Sequence, residues 1–181
     1  TAMMDSSPIV CVTGQVPRPA IGSDAFQEMD ISGAVIPVTK HSYLVMEIKD
    51  LAKTIKEAFA IARSGRPGPV LIDIPKDLQA EEFEFIYPEE KVTIPGENPI
   101  KSDISSVDLD SAVKMIANAK KPVILAGHGV LLSGASDEVI SLSEKSSIPI
   151  SWTLLGSGAV PASHPLNMGM MGMHGEFAAN N

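Results

Sequence analysis

A chain of 181 residues with 44% hydrophobic side chains carries enough apolar material for one large domain or two small ones. Its formal net charge of −8 argues against non-specific nucleic-acid binding, so small anionic ligands must be held by local Arg, Lys and backbone donors. No apolar run approaches the ~20 residues of a membrane span, and no signal-peptide pattern opens the sequence, so a soluble, cytoplasmic protein is expected.

Strands alternate with helices along both halves, which predicts an α/β protein with parallel sheets. The first strand is expected over 9–13. It holds the single cysteine, Cys11, which excludes a disulfide framework, suits a reducing compartment and reads as a small buried hydrophobe. A Gly- and Pro-containing loop follows, entering a short helix over 24–32 with Ser23 or Asp24 as N-cap. Such a loop sets backbone N–H groups, a helix start, an aromatic ring and an amide beside one cavity, an arrangement suited to a polar or anionic small molecule.

An irregular or edge strand is expected over 34–39, limited by Pro37. Asp50 caps the next helix, whose apolar face is Leu51, Ile55, Ala58, Phe59 and Ala62. Lys53 and Glu57 pair at i,i+4, and Gly65 stands at the C′ position. The turn at 66–69 leads into an apolar run over 70–74, typical of a strand buried on both faces. From 80 to 107 the acids, prolines and turn residues sustain no period and read as an interdomain linker.

The second half restarts with a helix over 108–119, capped by Asp108, with Leu109, Val113, Ile116 and Ala117 on its apolar face. A strand over 122–126, a turn at Gly127-His128-Gly129, a helix over 136–145 and a strand over 148–152 make one βαβ unit of Rossmann type. The chain opens on Thr1 and closes on what reads as a helix just beginning, so a fragment of a longer protein is expected.

Several strand-end loops could carry chemistry. The paired glycines at 127 and 129 allow close approach to a nucleotide or flavin, or form a tight structural turn; a dinucleotide fingerprint would place Gly at 132, where Leu132 stands. The run from Thr153 to Gly158 lies at the next strand end, as a ligand loop or a glycine-rich surface loop. The methionines and glycines from Met168 to Gly175 suit either adaptable packing or the flat ring of a flavin. Arg66 is rigidly presented for a phosphate or ribityl contact, or is simply solvated. Lys76 and Asp77 close a buried strand. The four histidines show no metal spacing, and no hydrolase motif is present.

Five segments, taken together, resemble the biosynthetic, FAD-containing acetohydroxyacid synthase (acetolactate synthase) large subunit. They are Thr13-Gly14-Gln15-Val16-Pro17, Ile21-Gly22-Ser23-Asp24-Ala25-Phe26-Gln27-Glu28, Thr39-Lys40-His41, the run 64–77, and Met171-Gly172-Met173-His174-Gly175. Glyoxylate carboligase is the related alternative, and a non-catalytic flavin- or nucleotide-binding module the alternative from another class. The resemblance implies that 1–85 is the C-terminal part of a pyrimidine-binding domain, 86–105 a linker, and 106–181 the N-terminal part of a central FAD domain.

It further implies thiamine diphosphate, Mg²⁺ and FAD as cofactors. Phe26 would lie beside the substrate, Gln27 by the thiamine cofactor, and Lys76, Pro17 and Ala25 along the access channel. FAD would be held by Arg66, Gly127, His128, Gly129, Thr153, Leu154, Leu155, Met171, Gly172, Met173 and His174. His128 stands where the family often has Ala, and Leu155 where Met or Gln is common. The implied reaction joins two pyruvates to 2-acetolactate, or pyruvate and 2-oxobutyrate to 2-aceto-2-hydroxybutyrate, in branched-chain amino-acid biosynthesis. A homodimer or tetramer is implied with it, and a regulatory small subunit is a candidate partner. The family's activating Glu and Mg²⁺-diphosphate segment fall outside this sequence, so the 181-residue chain alone is expected to be inactive.

Overall fold

The computed structural model describes residues 1–94 and 105–181. The chain divides into two compact units, Thr1–Ile100 and Lys101–Asn181. Each is built on a three-stranded parallel sheet, as the alternation of strands and helices requires.

In the first unit β1 (Val10–Gln15), β2 (His41–Leu44) and β3 (Val70–Pro75) form a sheet of order β1-β3-β2. β3 is central because Val70, Leu71 and Ile72 bury against both neighbours and α2 (Leu51–Arg63). The core gathers Val45, Ala58, Ala62, Val70, Ile72 and Leu78. Cys11 is exposed, contrary to the buried reading: β1 is an edge strand, and neither Cys11 nor Val12 meets a packing layer among the described residues.

Two expectations in this unit shift. Residues 34–39 form no strand. Asp30 accepts from the Gly33 N–H and starts α1 (Ile31–Val35), a tighter turn continues over Ile36–Val38, and pairing begins only at His41. The β-branched side chains of Val35, Ile36 and Val38 misled the pattern; a local cap overrode them. On α2, the helix meets the sheet through Thr54, Ala58 and Ala62, small enough for close approach, rather than through the Ile55 and Phe59 stripe. Ile55 and Phe59 stay exposed and line an apolar groove with Ala52, Phe85, Tyr87 and Pro88.

The ends of α2 are handled locally. Asp50 occupies the N-cap position without a side-chain cap bond. Lys53 reaches Glu57 at 3.8 Å on an exposed face, a pairing that contributes little. At the far end Lys40 Nζ donates to the carbonyls of Ile61 and Ser64, adding a charged donor at the helix C-terminus, where Ile61 O also accepts from the Ser64 N–H and Oγ. Gly65 follows with φ +48°, the left-handed conformation that ends a helix most cheaply in glycine.

Residues 86–94 carry no helix or strand, and the rest of the expected linker, 95–104, lies outside the described residues. α3 (Ser106–Asn118) is capped by Ser105, whose hydroxyl accepts from the Asp108 N–H, two to three residues earlier than expected. The Asp108 carboxylate accepts from Ser105 Oγ in return, so both residues belong to one capping arrangement. The expected apolar face is present but exposed at Leu109, Val113 and Ile116.

The second unit places β4 (Ile124–Ala126), β5 (Ile150–Trp152) and β6 (Asn167–Met170) in that order. Two helices, α4 (His128–Ser133) and α5 (Ser136–Ser146), make the crossover between parallel β4 and β5. Ala126, Ile150, Ala159 and Val160 form the core. β6 was not expected: its sequence Asn-Met-Gly-Met has no β-branched residue, yet Trp152 Nε1 donates to Asn167 Oδ1 at 3.2 Å and ties it to β5. α6 (Phe177–Asn180) begins where a closing helix was read.

Among the described residues no helix is long and apolar enough to cross a membrane.

Candidate functional site

Parallel strands send all their carboxyl ends to one edge of the sheet, and that is where open α/β sheets place ligands. In the first unit the loop after β1 therefore lies beside the loop after β3, linked by the Lys76 N–H donating to the Gln15 carbonyl at 2.9 Å. Lys76 is exposed there, one residue past the buried strand. Arg18 joins the same two loops: Nε donates to Asp77 at 2.7 Å, Nη2 to Glu81 at 2.8 Å, and its own N–H to Asp77 at 2.9 Å. Pro17, next to Arg18, is exposed at this edge, and Ala25 is half-buried.

The helix expected over 24–32 is instead a compact turn. Asp24 (φ +54°) and Gln27 (φ +66°) are both left-handed, a conformation that breaks a helix and costs about 1–2 kcal/mol per non-glycine residue. The Glu28 carboxylate explains the shape: it accepts from the N–H groups of Gly22 and of Ala25, the latter at 2.8 Å. This is the back-bond of a capping box with no helix behind it. Between the two strained residues Phe26 is thrust outward, 89% exposed. Strain of this kind concentrates at working sites.

Backbone donors set the charge states here. The N–H of Gly22, then that of Ala25, hold Glu28 below the usual carboxylate range. The Arg18 N–H and then its side chain do the same for Asp77. A depressed folded value means stability present above the unfolded carboxyl pKa near 4 and lost as pH falls through the lowered values. Backbone hydrogen exchange over 16–28 should therefore accelerate as pH drops below about 4, after correction for intrinsic rates. A loop that exchanges no faster at about pH 2.5 would contradict this.

Asp73 is the signal missed in the sequence: a carboxylate inside an apolar strand, only 1% exposed. It accepts from Thr13 Oγ1 at 2.8 Å and Gln15 Nε2 at 2.9 Å, both on β1. An acid in the middle of such a run has to be satisfied by neighbours, so its partners could have been sought.

In the second unit three strand ends converge. The Thr153 N–H donates to the Ala126 carbonyl at 3.0 Å, and the Met171 N–H to the Trp152 carbonyl at 2.9 Å. Gly156 packs so tightly that a Cβ there would lie 2.3 Å from Ala126 O. The structure thus brings Gly127, His128 and Gly129 beside Thr153, Leu154 and Leu155, with Met171 flanking on β6's side. His128 and Gly129 form the first turn of α4 rather than a free loop. Gly172 is held by Asn180, whose amide donates to its carbonyl and accepts from its N–H, both at 3.0 Å.

Leu154, Leu155, Met171 and Met173 all leave apolar side chains exposed around these strand ends, and His174 is exposed with them. Backbone donors beside uncovered apolar side chains suit a flat ring system with polar edges. Arg66 belongs to the first unit, where its guanidinium donates to Ser6 Oγ at 2.8 Å and Met4 O at 2.7 Å while staying exposed. Among the described residues no group of three or more His, Cys, Asp and Glu could hold a metal ion.

Comparison with known proteins follows the same division. Residues 109–181 match the central domain of thiamine pyrophosphate enzymes. The whole chain is similar to the probable acetolactate synthase large subunit of Methanocaldococcus jannaschii, 48% identical over 99% of this chain and 31% of that protein. The acetolactate synthase large subunit of Corynebacterium glutamicum is 46% identical over 98% of this chain and 28% of its own length. That of Parasynechococcus marenigrum is 45% identical over 99% and 29%. The chain thus spans about 30% of the length of these relatives and is similar to them over nearly all of its own length, with residues 109–181 matching the central domain of thiamine pyrophosphate enzymes.

Proposed function

We propose that the protein containing this chain is a thiamine-diphosphate-dependent carboligase that joins two pyruvates to 2-acetolactate, or pyruvate and 2-oxobutyrate to 2-aceto-2-hydroxybutyrate. Bound thiamine diphosphate supplies an electron sink for decarboxylating the first 2-oxo acid. The observation that carries the reading is the loop after β1, which starts from Gln15, bonded to the Lys76 N–H, and leads to an exposed aromatic ring and an amide in strained backbone.

Each residue then has a task within reach of its place. Gln27 offers an amide to the thiamine cofactor. Phe26 covers the reacting substrate and keeps water from it, and the Lys76 ammonium attracts 2-oxo acid anions into a channel bordered by Pro17 and Ala25. In the second unit Gly127, His128, Gly129, Thr153, Leu154, Leu155, Met171, Gly172, Met173 and His174 would hold FAD, which fits the backbone donors and uncovered apolar side chains found there. Arg66 is assigned to a ribityl or phosphate oxygen of the flavin as well. FAD undergoes no net redox change in carboligation, so its role is structural.

Residues 1–85 are assigned to a pyrimidine-binding domain, 86–105 to a linker and 106–181 to the central domain. Mg²⁺ is assigned to a part of the protein outside this chain. The wider reading is a cytoplasmic homodimer or tetramer in branched-chain amino-acid biosynthesis, with a regulatory small subunit as a candidate partner.

Phe26→Ala in the intact protein tests the site. The ring is almost wholly solvent-exposed, so stability should move by no more than about 0.5 kcal/mol. Acetolactate formation should fall by about tenfold or more if the ring covers the substrate. Unchanged turnover would make the turn mere packing and favour a non-catalytic cofactor-binding module.

A further inference from the structure

The turn that carries Phe26 and Gln27 is closed at its base by one side chain. Gln15 is the last residue of β1, and its amide touches both ends of the segment it precedes. Gln15 Oε1 accepts from the Val16 N–H at 2.9 Å, at the start of the loop. Gln15 Nε2 donates to the Met29 carbonyl at 2.7 Å, at its end. The same nitrogen donates to Asp73 Oδ2 at 2.9 Å, and Thr13 Oγ1 fills Asp73 Oδ1. The orientation of the amide follows from its partners, since a carbonyl and a carboxylate need its N–H₂ and an N–H needs its oxygen.

Asp73 gives this clamp a fixed anchor. It is buried in the central strand, and rotation of its carboxylate would leave a charged oxygen without a donor. Both protons of the Gln15 amide are therefore committed, one to the anchor and one to the loop. Glu28 shapes the tip of the turn from within, Arg18 joins its first stem to the loop after β3, and Gln15 bonds both stems and the sheet at once. Two left-handed residues in the tip would relax if the stems came apart.

We propose that Gln15 is a positioning residue, braced by buried Asp73, that closes the 16–29 loop and so holds Phe26 and Gln27 in working position. The positioning of chemistry rests on the carboligase reading above; the clamp itself does not. A substitution pair separates the two roles of the amide. Gln15→Glu sets a carboxylate against Asp73 and removes the side-chain donor to Met29 O, which keeps only the Ile31 N–H at 2.8 Å. Adding Asp73→Asn restores an N–H···O bond of reversed polarity between positions 15 and 73 and leaves the carboxamide's one oxygen to accept from Thr13 Oγ1. It supplies no donor to Met29 O.

In the intact protein Gln15→Glu should lose thermal stability, and the pair should recover most of it. Backbone hydrogen exchange over 16–29 should nevertheless remain about tenfold faster than wild type in the pair, the worth of one lost hydrogen bond. With it, kcat for acetolactate should stay about tenfold low while KM moves little. Exchange and kcat that return together with stability would overturn the proposal, as would a pair that regains no stability. If the wild-type protein makes no acetolactate, the carboligase reading fails, and the exchange measurement still decides the clamp.

Discussion

Gly156→Ala should disrupt the second unit while Gly129→Ala should leave it folded, although both glycines border the same strand ends. A Cβ at 156 would lie 2.3 Å from the Ala126 carbonyl oxygen and 3.2 Å from Gly127 Cα. Both are backbone atoms at the junction of β4 and α4, so neither can rotate away as a side chain would. The β4 and β5 loops must separate, at about 1–3 kcal/mol of stability. A Cβ at 129 meets nothing within 4 Å. There, in a helix, alanine should be neutral or stabilising by up to about 1 kcal/mol.

The two variants divide fold from flavin. Thermal denaturation of the intact protein should show a lowered midpoint for Gly156→Ala only. Flavin absorbance after gel filtration should be lost in both, in Gly156→Ala because the loops part and in Gly129→Ala because the methyl enters the space assigned to FAD. A Gly129→Ala protein that retains wild-type flavin content would remove Gly129 from the site. A Gly156→Ala protein of wild-type stability would contradict the close approach of the two strand ends.

The second large effect is expected at Ile72. It is completely buried in the middle of β3, between β1 and β2 and against α2. Truncation to alanine leaves a cavity bounded by two strands and a helix that cannot all collapse inward. The cost should be about 2–5 kcal/mol, read from the urea midpoint of the first unfolding transition. A loss below about 1 kcal/mol would mean that β3 is not the centre of this unit. The neighbouring Asp73 makes the substitution more than a packing change, since β3 carries the carboxylate that anchors Gln15.

What the sequence made legible follows a physical line. Runs whose side chains share one environment were readable: Val70 to Ile74, buried on both faces, and the long amphipathic helix before it. The alternation of such runs was enough for two parallel sheets. Failures arose where a few local bonds outweighed the pattern. Glu28 drew the N–H groups of Gly22 and Ala25 and turned an expected helix into a strained turn. Asp30 capped Gly33 and displaced an expected strand by several residues. β6 was invisible because its pairing comes from β5 and Asn167, not from its own composition.

The site divides in the same way. The sequence alone marked the strand-end loops as ligand-facing, and the structure brings the loops after β4 and β5 into contact. It could not show that Arg18 staples the β1 and β3 loops together, because residues 18 and 77 meet only through parallel pairing of their strands. The faces of Ile55, Phe59, Leu109 and Val113 were misjudged for a related reason. Periodicity reports an apolar stripe but not which neighbour, if any, covers it.

The proposed carboligase uses the turn at β1 for its chemistry and the strand ends of the second unit for flavin. The most direct test is acetolactate formation from pyruvate by the intact protein with thiamine diphosphate and Mg²⁺, assayed before and after FAD is stripped. Activity lost on stripping and regained with FAD is the predicted result. No acetolactate under either condition, or tartronate semialdehyde from glyoxylate instead, would rule out a flavin-dependent acetolactate-forming enzyme.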